Sequence, residues 1–174
     1  QVFYGSSGSE SNDTAVRLVR HYWALQGKPQ KNWIISRTMA YHGSTITGAS
    51  LGGMSGMHEQ LYGAVPNIVH VMPPYAFELQ EKGESEHDFG LRAARAIEIA
   101  ILEAGPENVA AFIGEAIMGA GGVKIPPASY WPEVQRICKQ YDILLMLDEV
   151  ITAYGRTGAW FASHTLGMEA ITRP

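Results

Sequence analysis

With 174 residues, 46% of them hydrophobic and 17% charged, the chain has the length of one domain or a large piece of one, and enough apolar material for a core, which excludes disorder. Thirteen basic and 17 acidic side chains are mixed along it for a formal charge of −4, leaving no basic stripe for a nucleic-acid partner. One cysteine, Cys138, excludes an internal disulfide and a cysteine-based metal cluster, and no signal-peptide pattern or bilayer-length apolar run is present, so the expectation is a cytoplasmic protein without a membrane partner.

In chain order, the first element follows the loop Tyr4-Gly5-Ser6-Ser7-Gly8-Ser9, small and rich in hydroxyls. Ala15, Leu18, Val19, Tyr22 and Leu25 recur at helical spacing behind it, and Gly27 with Pro29 closes the helix. Trp33 to Arg37 reads as a strand, and the following AYHGSTITGASLGGMSG is too broken by Gly and Ser for a long regular element. Ile68 to Met72 is a second strand, ended by Pro73-Pro74. The stretch PPYAFELQEKGESEHDFG reads as a polar surface excursion, and Leu91 to Glu103 as an alanine-rich helix stopped by Gly105-Pro106. Val109 to Gly114 is a continuous apolar strand. Tyr130, Val134, Ile137, Cys138 and Tyr141 mark a further helix, and Ile143 to Leu147 is apolar throughout. Strands without polar alternation, separated by helices, predict an α/β fold: a mainly parallel sheet with helices on both faces.

In such a sheet, ligands bind beyond the carboxyl ends of the strands, and three strands here end in polar residues. Asp148 sits at the tip of an apolar strand, where burial raises a carboxyl pKa unless a cation or donors answer it. A helix N-cap or a salt bridge to Arg156 would also account for it. Glu115 ends another strand and is followed by Gly119-Ala120-Gly121-Gly122; Tyr41-His42-Gly43 follows the Trp33 strand. His58-Glu59-Gln60-Leu61-Tyr62 has Tyr62 where a zinc protease needs its second histidine, so no metal is expected. There is no P-loop lysine, no GxGxxG and no GxSxG. A helix start with free amides, an aromatic face and a buried acid together suit pyridoxal phosphate. Its phosphate wants donors, its ring a flat neighbour, and its pyridine nitrogen a carboxylate.

At this point the sequence resembles the class III, fold type I aminotransferases, and within them the amine:pyruvate (omega) transaminases. The resemblance is carried by YGSSGSESNDTAVRLVRHYWALQGKPQK, AYHGST, GASLGGMSGMHEQ, DFGLRAAR, VAAFIGEAIMGAGGV, IPPASYWPEVQRICKQYDILL, LDEV and YGRTGAWFASH. It implies pyridoxal 5'-phosphate as cofactor, a small amine and a keto acid such as pyruvate as substrates, and a homodimer. Residue by residue, it implies that Gly8 and Ser9 hold the phosphate and that Tyr41 flanks the ring, with His42 and Gly43 completing its loop. Asp148 would partner the pyridine nitrogen, Val150 would pack on the opposite ring face, and Glu115 would close the pocket. The family usually has Pro and Gln where Ala116 and Met118 stand. None of Lys28, Lys31, Lys82, Lys124 and Lys139 matches the Schiff-base lysine, which is expected just beyond Pro174; Lys124 is the one worth testing, although a solvated lysine is expected there. Residues 1–174 are thus expected to be part of the cofactor-binding large domain, lacking the small C-terminal domain and inactive alone. A non-catalytic binding module, or a structural subunit completing an enzyme with a second chain, are the alternatives.

Overall fold

The computed structural model describes residues 2–168. The position expected for the Schiff-base lysine lies outside them.

A first helix, α1 (Gly8–Leu25), starts where Ser7, in extended conformation, accepts the Glu10 amide on its hydroxyl, a serine N-cap. Strand β1 (Trp33–Arg37) follows, then two short helices, α2 (Ile46–Leu51) and α3 (Ser55–Leu61), and β2 (Ile68–Val71). One helical turn, α4 (Ala76–Leu79), precedes the long helix α5 (Glu86–Ala104). The remaining elements are β3 (Val109–Glu115), α6 (Tyr130–Gln140), β4 (Leu144–Asp148) and the short α7 (Ala162–Thr165).

The four strands form one parallel sheet in the order β2-β1-β3-β4. Alternate residues of each strand point to opposite faces. Ile35, Phe112, Leu145 and Leu147 pack with α5 and α6 around Phe89, Ile97, Trp131 and Ile137; Ile34, Ile113 and Met146 pack with Val16, Trp23 and Leu51 from α1 and α2. The central strand β3 is pinned from both sides. The Trp23 indole donates to the Ala110 carbonyl at 2.9 Å from one face, and the Trp131 indole to the Ala116 carbonyl at 3.0 Å from the other. Arg37 is also buried in the α6 layer, its Nη2 donating to the Glu115 carbonyl at 2.7 Å and its guanidinium lying 5.6 Å from the Trp131 ring.

The sheet and its strands match the sequence reading, with differences at the helices. The buried stripe of α1 is Val16, Val19 and Trp23, while Leu18 and Leu25 are exposed. Both stripes satisfy the helical period and share Val19; the bulk of Trp23 against β3 decides between them. Helix α5 begins at Glu86, not Leu91, because Ser85 caps it by accepting the Asp88 amide at 3.1 Å. The presumed excursion therefore contains the helix start. Lys124 is not solvated. It is 5% exposed, donates to the Gly121 carbonyl and lies 4.4 Å from the Tyr75 ring centre. Among the described residues no helix is long and apolar enough to cross a membrane, and no cluster of side chains is arranged to hold a metal.

Candidate cofactor site

The chain leaves β1 for β2 on one side and returns to place β3 on the other, so the connections after β1 and β3 diverge. A crevice opens at the carboxyl ends of strands where this happens. A cavity of about 320 Å³ lies there, within the usual size range of small-molecule sites. It is lined by Gly8, Ser9 and Asn12 of α1, by Tyr41, His42 and Gly43 after β1, by Glu115 and Ala120 at and after β3, and by Asp148, Val150 and Ile151 at the end of β4. All eight residues that the resemblance assigns to the site thus line one cavity. No lysine is among the lining residues.

The helix start supplies donors. Ser11 makes the first intrahelical bond, to the Ser7 carbonyl at 3.0 Å, and Glu10 is taken up by the Ser7 hydroxyl. The amides of Gly8 and Ser9 have no partner among the described residues and carry the positive end of the α1 dipole. The Ser9 hydroxyl accepts the Ser44 amide at 3.1 Å, which leaves its own proton free to donate. The two nearby acids are turned elsewhere. Glu10 Oε2 accepts from the Ser6 amide at 2.7 Å and from the Ser6 hydroxyl, bonds that hold its carboxyl below the ordinary range. Asp13 accepts from Thr45 at 2.8 Å, tying α1 to the cap of α2.

Two glycines set the shape. A Cβ at Gly8 would stand 3.0 Å from Val150 Cγ2, so the Val150 wall closes directly over the helix start. Gly43 has φ +121°, and a Cβ there would come within 2.5 Å of Ser9 Oγ and 2.9 Å of Ser9 Cα. Only glycine lets the Tyr41 loop lie against α1.

At the far end, Asp148 is held by three donors. Its Oδ2 lies 2.9 Å from His42 Nδ1 and 3.0 Å from Asn12 Nδ2, and its Oδ1 accepts the Val150 amide at 3.2 Å. The side chains of His42 and Asp148 are 0% and 7% exposed. Burial pushes the Asp148 carboxyl up, but the hydrogen bonds from His42 and Asn12, the charge interaction with His42 and the Val150 amide together outweigh it, so its pKa lies below the ordinary aspartate value. His42 Nε2 is buried with no partner among the described residues. No lysine or arginine among the described residues pairs with Asp148, and Arg156 is not its partner. The carboxylate charge is left facing the cavity.

Glu115, opposite Asp148 in the β3–β4 register, is committed differently. Its Oε1 accepts the Tyr41 amide at 3.1 Å and its Oε2 the Gly119 amide at 2.7 Å, so it clamps the loops after β1 and β3 together. Both oxygens are engaged by backbone.

Asn12 was not singled out by any sequence motif. It lies four residues after Gly8, one turn along the same helical face, and that spacing is the signal that could have found it. Glu149, beside Asp148, accepts the Ala162 and Ser163 amides at 2.6 and 3.1 Å and is a cap of α7 rather than a site group.

A planar ring bearing a phosphate and a cationic nitrogen fits this donor set: helix-start amides without a partner among the described residues at one end, a buried carboxylate with no lysine or arginine partner among them at the other, and Val150 closing on Gly8. Comparison with known proteins adds the family. A family model described as Aminotransferase class-III matches residues 1–170. The chain is 54% identical over 167 residues to the putrescine--pyruvate aminotransferase of Pseudomonas aeruginosa, covering 95% of this chain and 36% of that protein. It is 47% identical over 161 residues to gamma aminobutyrate transaminase 3, chloroplastic, of Solanum lycopersicum, covering 92% of this chain and 31% of that protein. Among solved structures, the omega transaminase from Pseudomonas jessenii in complex with PMP superposes with a TM-score of 0.92 at 46% identity, covering 95% of this chain and 36% of that one. The chain spans about a third of the length of the curated relatives it matches.

Proposed function

The chain belongs to the class III aminotransferases, and from that membership we propose that its cavity holds pyridoxal 5'-phosphate, as part of the large domain of an enzyme that moves an amino group from a small amine to a pyruvate-type keto acid. The observation that carries the reading is Asp148: a buried carboxylate held by His42 and Asn12 with no lysine or arginine partner among the described residues, in the same cavity as two helix-start amides that have no partner among them. Bound there, the cofactor supplies an electron sink for the carbon next to a substrate nitrogen.

The chain's own residues have separable tasks. The amides of Gly8 and Ser9 and the Ser9 hydroxyl take the phosphate, favoured by the dipole of α1. Val150 and Tyr41 confine the ring between them. Asp148 holds a proton on the ring nitrogen, and His42 keeps that carboxylate ionised and in place from Nδ1. Glu115 keeps the Tyr41 loop and the glycine loop in register through their amides. We assign the Schiff-base lysine, the substrate-carboxylate group and the small domain to the two thirds of the relatives' length that this chain does not span. A cytoplasmic homodimer is our reading of the assembly. The buried thiol of Cys138 is in keeping with a reducing compartment, and the exposure of Tyr154 and Trp160 after the end of β4 favours a covering copy.

The test is equilibrium dialysis of pyridoxal 5'-phosphate against the chain and its Asp148→Asn variant, alongside alanine formation from putrescine and pyruvate by the full-length protein. Saturable binding is expected, weaker in the variant by about tenfold or more, since a hydrogen-bonded charge contributes about 1.5–3 kcal/mol. No binding by the parent, or equal binding by both, refutes the cofactor site. Binding without alanine formation refutes the proposed substrates.

A further inference from the structure

Asn12 joins three separate parts of the chain. Its carboxamide nitrogen donates to the His42 carbonyl at 2.9 Å and to Asp148 Oδ2 at 3.0 Å, linking α1 to the loop after β1 and to the tip of β4. Both amide protons are thereby used, so the carboxamide plane has a single orientation.

The consequence falls on Asp148. Its Oδ2 receives two side-chain donors, from His42 and Asn12, whereas Oδ1 receives only the Val150 amide at 3.2 Å. A carboxylate oxygen has two lone-pair sites, so Oδ2 is filled and Oδ1 keeps one free. Asn12 also stands one turn from Gly8, about 6 Å along the helix. The same helix therefore carries the donors at one end of the cavity and the donor that fixes the carboxylate at the other. A rigid ring spanning the two needs that separation held constant.

We propose that Asn12 is a positioning residue for the cofactor's ring nitrogen: it fills Asp148 Oδ2, presents Oδ1 to that nitrogen, and sets the distance between the carboxylate and the helix start. This rests on the reading that the cavity holds a pyridoxal-type cofactor. Asn12 itself touches no reacting atom in this role and acts through Asp148.

The experiment compares two probes, pyridoxamine 5'-phosphate and its 1-deaza analogue, which has a carbon in place of the ring nitrogen. Binding is measured by calorimetry on the chain, on Asn12→Leu, which keeps the shape without the donor, and on Asp148→Asn. The expected result is that Asn12→Leu weakens pyridoxamine 5'-phosphate by about tenfold, the value of one hydrogen bond to a charged group, and leaves the deaza analogue unchanged. Equal weakening of both probes would make Asn12 a merely structural residue and overturn the proposal, as would no change in either. If Asn12→Leu fails to fold by circular dichroism, Asn12→Ala and Asn12→Ser carry the same comparison; an unchanged ratio of the two probes in whichever of them folds overturns the proposal equally. Failure of the underlying reading has a different signature. There the parent itself does not distinguish the probes, and Asp148→Asn leaves their ratio unaltered.

Discussion

Replacing Gly43 with alanine should cost more than any ordinary surface substitution, for reasons that can be worked atom by atom. At φ +121° a side chain is strained whatever the surrounding space, at a cost of about 1–3 kcal/mol. The added Cβ would also sit 2.5 Å from Ser9 Oγ and 2.9 Å from Ser9 Cα. Rotation of the Ser9 hydroxyl relieves the first contact but not the second, because Cα is backbone. Either the Tyr41 loop lifts away from α1 or the start of α1 moves, and such overpacking costs about 1–3 kcal/mol more. A total of roughly 3 kcal/mol corresponds, for a chain of this size, to a melting temperature lower by about 6–12 °C. The same displacement separates Ser44 from Ser9, which now meet at 3.1 Å, so affinity for pyridoxal 5'-phosphate should fall in parallel. Thermal unfolding followed by circular dichroism, with equilibrium dialysis of the cofactor, checks both. Gly56→Ala is the control. It lies on the exposed helix α3 with nothing within 4 Å of the added carbon, and should stabilise by about 0.5–1 kcal/mol. A Gly43→Ala protein within about 0.5 kcal/mol of the parent, the scatter of an ordinary surface change, would refute the close approach of loop and helix.

Two further outcomes test other parts of the structure. Arg92 donates to Glu84 from Nε at 2.7 Å and from Nη2 at 2.8 Å, and these bonds lower the Glu84 pKa to about 2. The pair therefore stabilises the fold above the ordinary carboxyl range and loses that contribution as pH falls toward 2; Arg92→Met should raise the Glu84 titration, followed by carboxyl NMR, toward the ordinary carboxyl value but short of it, because the Glu81 amide still donates to Glu84 Oε2 at 2.9 Å. Trp131→Phe keeps most of the apolar contact but leaves the Ala116 carbonyl without the indole donor at 3.0 Å. It should destabilise by about 1–3 kcal/mol in urea unfolding, with an unchanged dependence on denaturant.

The strands were legible because a buried parallel strand must be apolar on both faces, and Val109 to Gly114 and Ile143 to Leu147 are runs of that kind. Helix faces were less so. For α1 the stripe through Leu18 and Leu25 and the one through Val16 and Trp23 are equally periodic, and only the position of Ala110, whose carbonyl takes the Trp23 indole, selects the second. The Ser85 cap of α5 was readable in principle from its spacing to Asp88 and was hidden by the polarity around it.

The sequence by itself determined the fold class, the strand-end acids and the family, because each depends on residue type and local order along the chain. It also placed Gly8, Ser9, Tyr41, His42, Glu115, Asp148 and Val150 at loop and strand ends. What only the tertiary structure decided is how those groups spend their hydrogen bonds. Asp148 is held by Asn12 and His42, 136 and 106 positions away, instead of by Arg156; Glu115 gives both oxygens to backbone amides; Lys124 folds inward onto Gly121. A carboxylate or ammonium has several partners open to it in the sequence, and the choice among them is made by which elements the sheet order brings together.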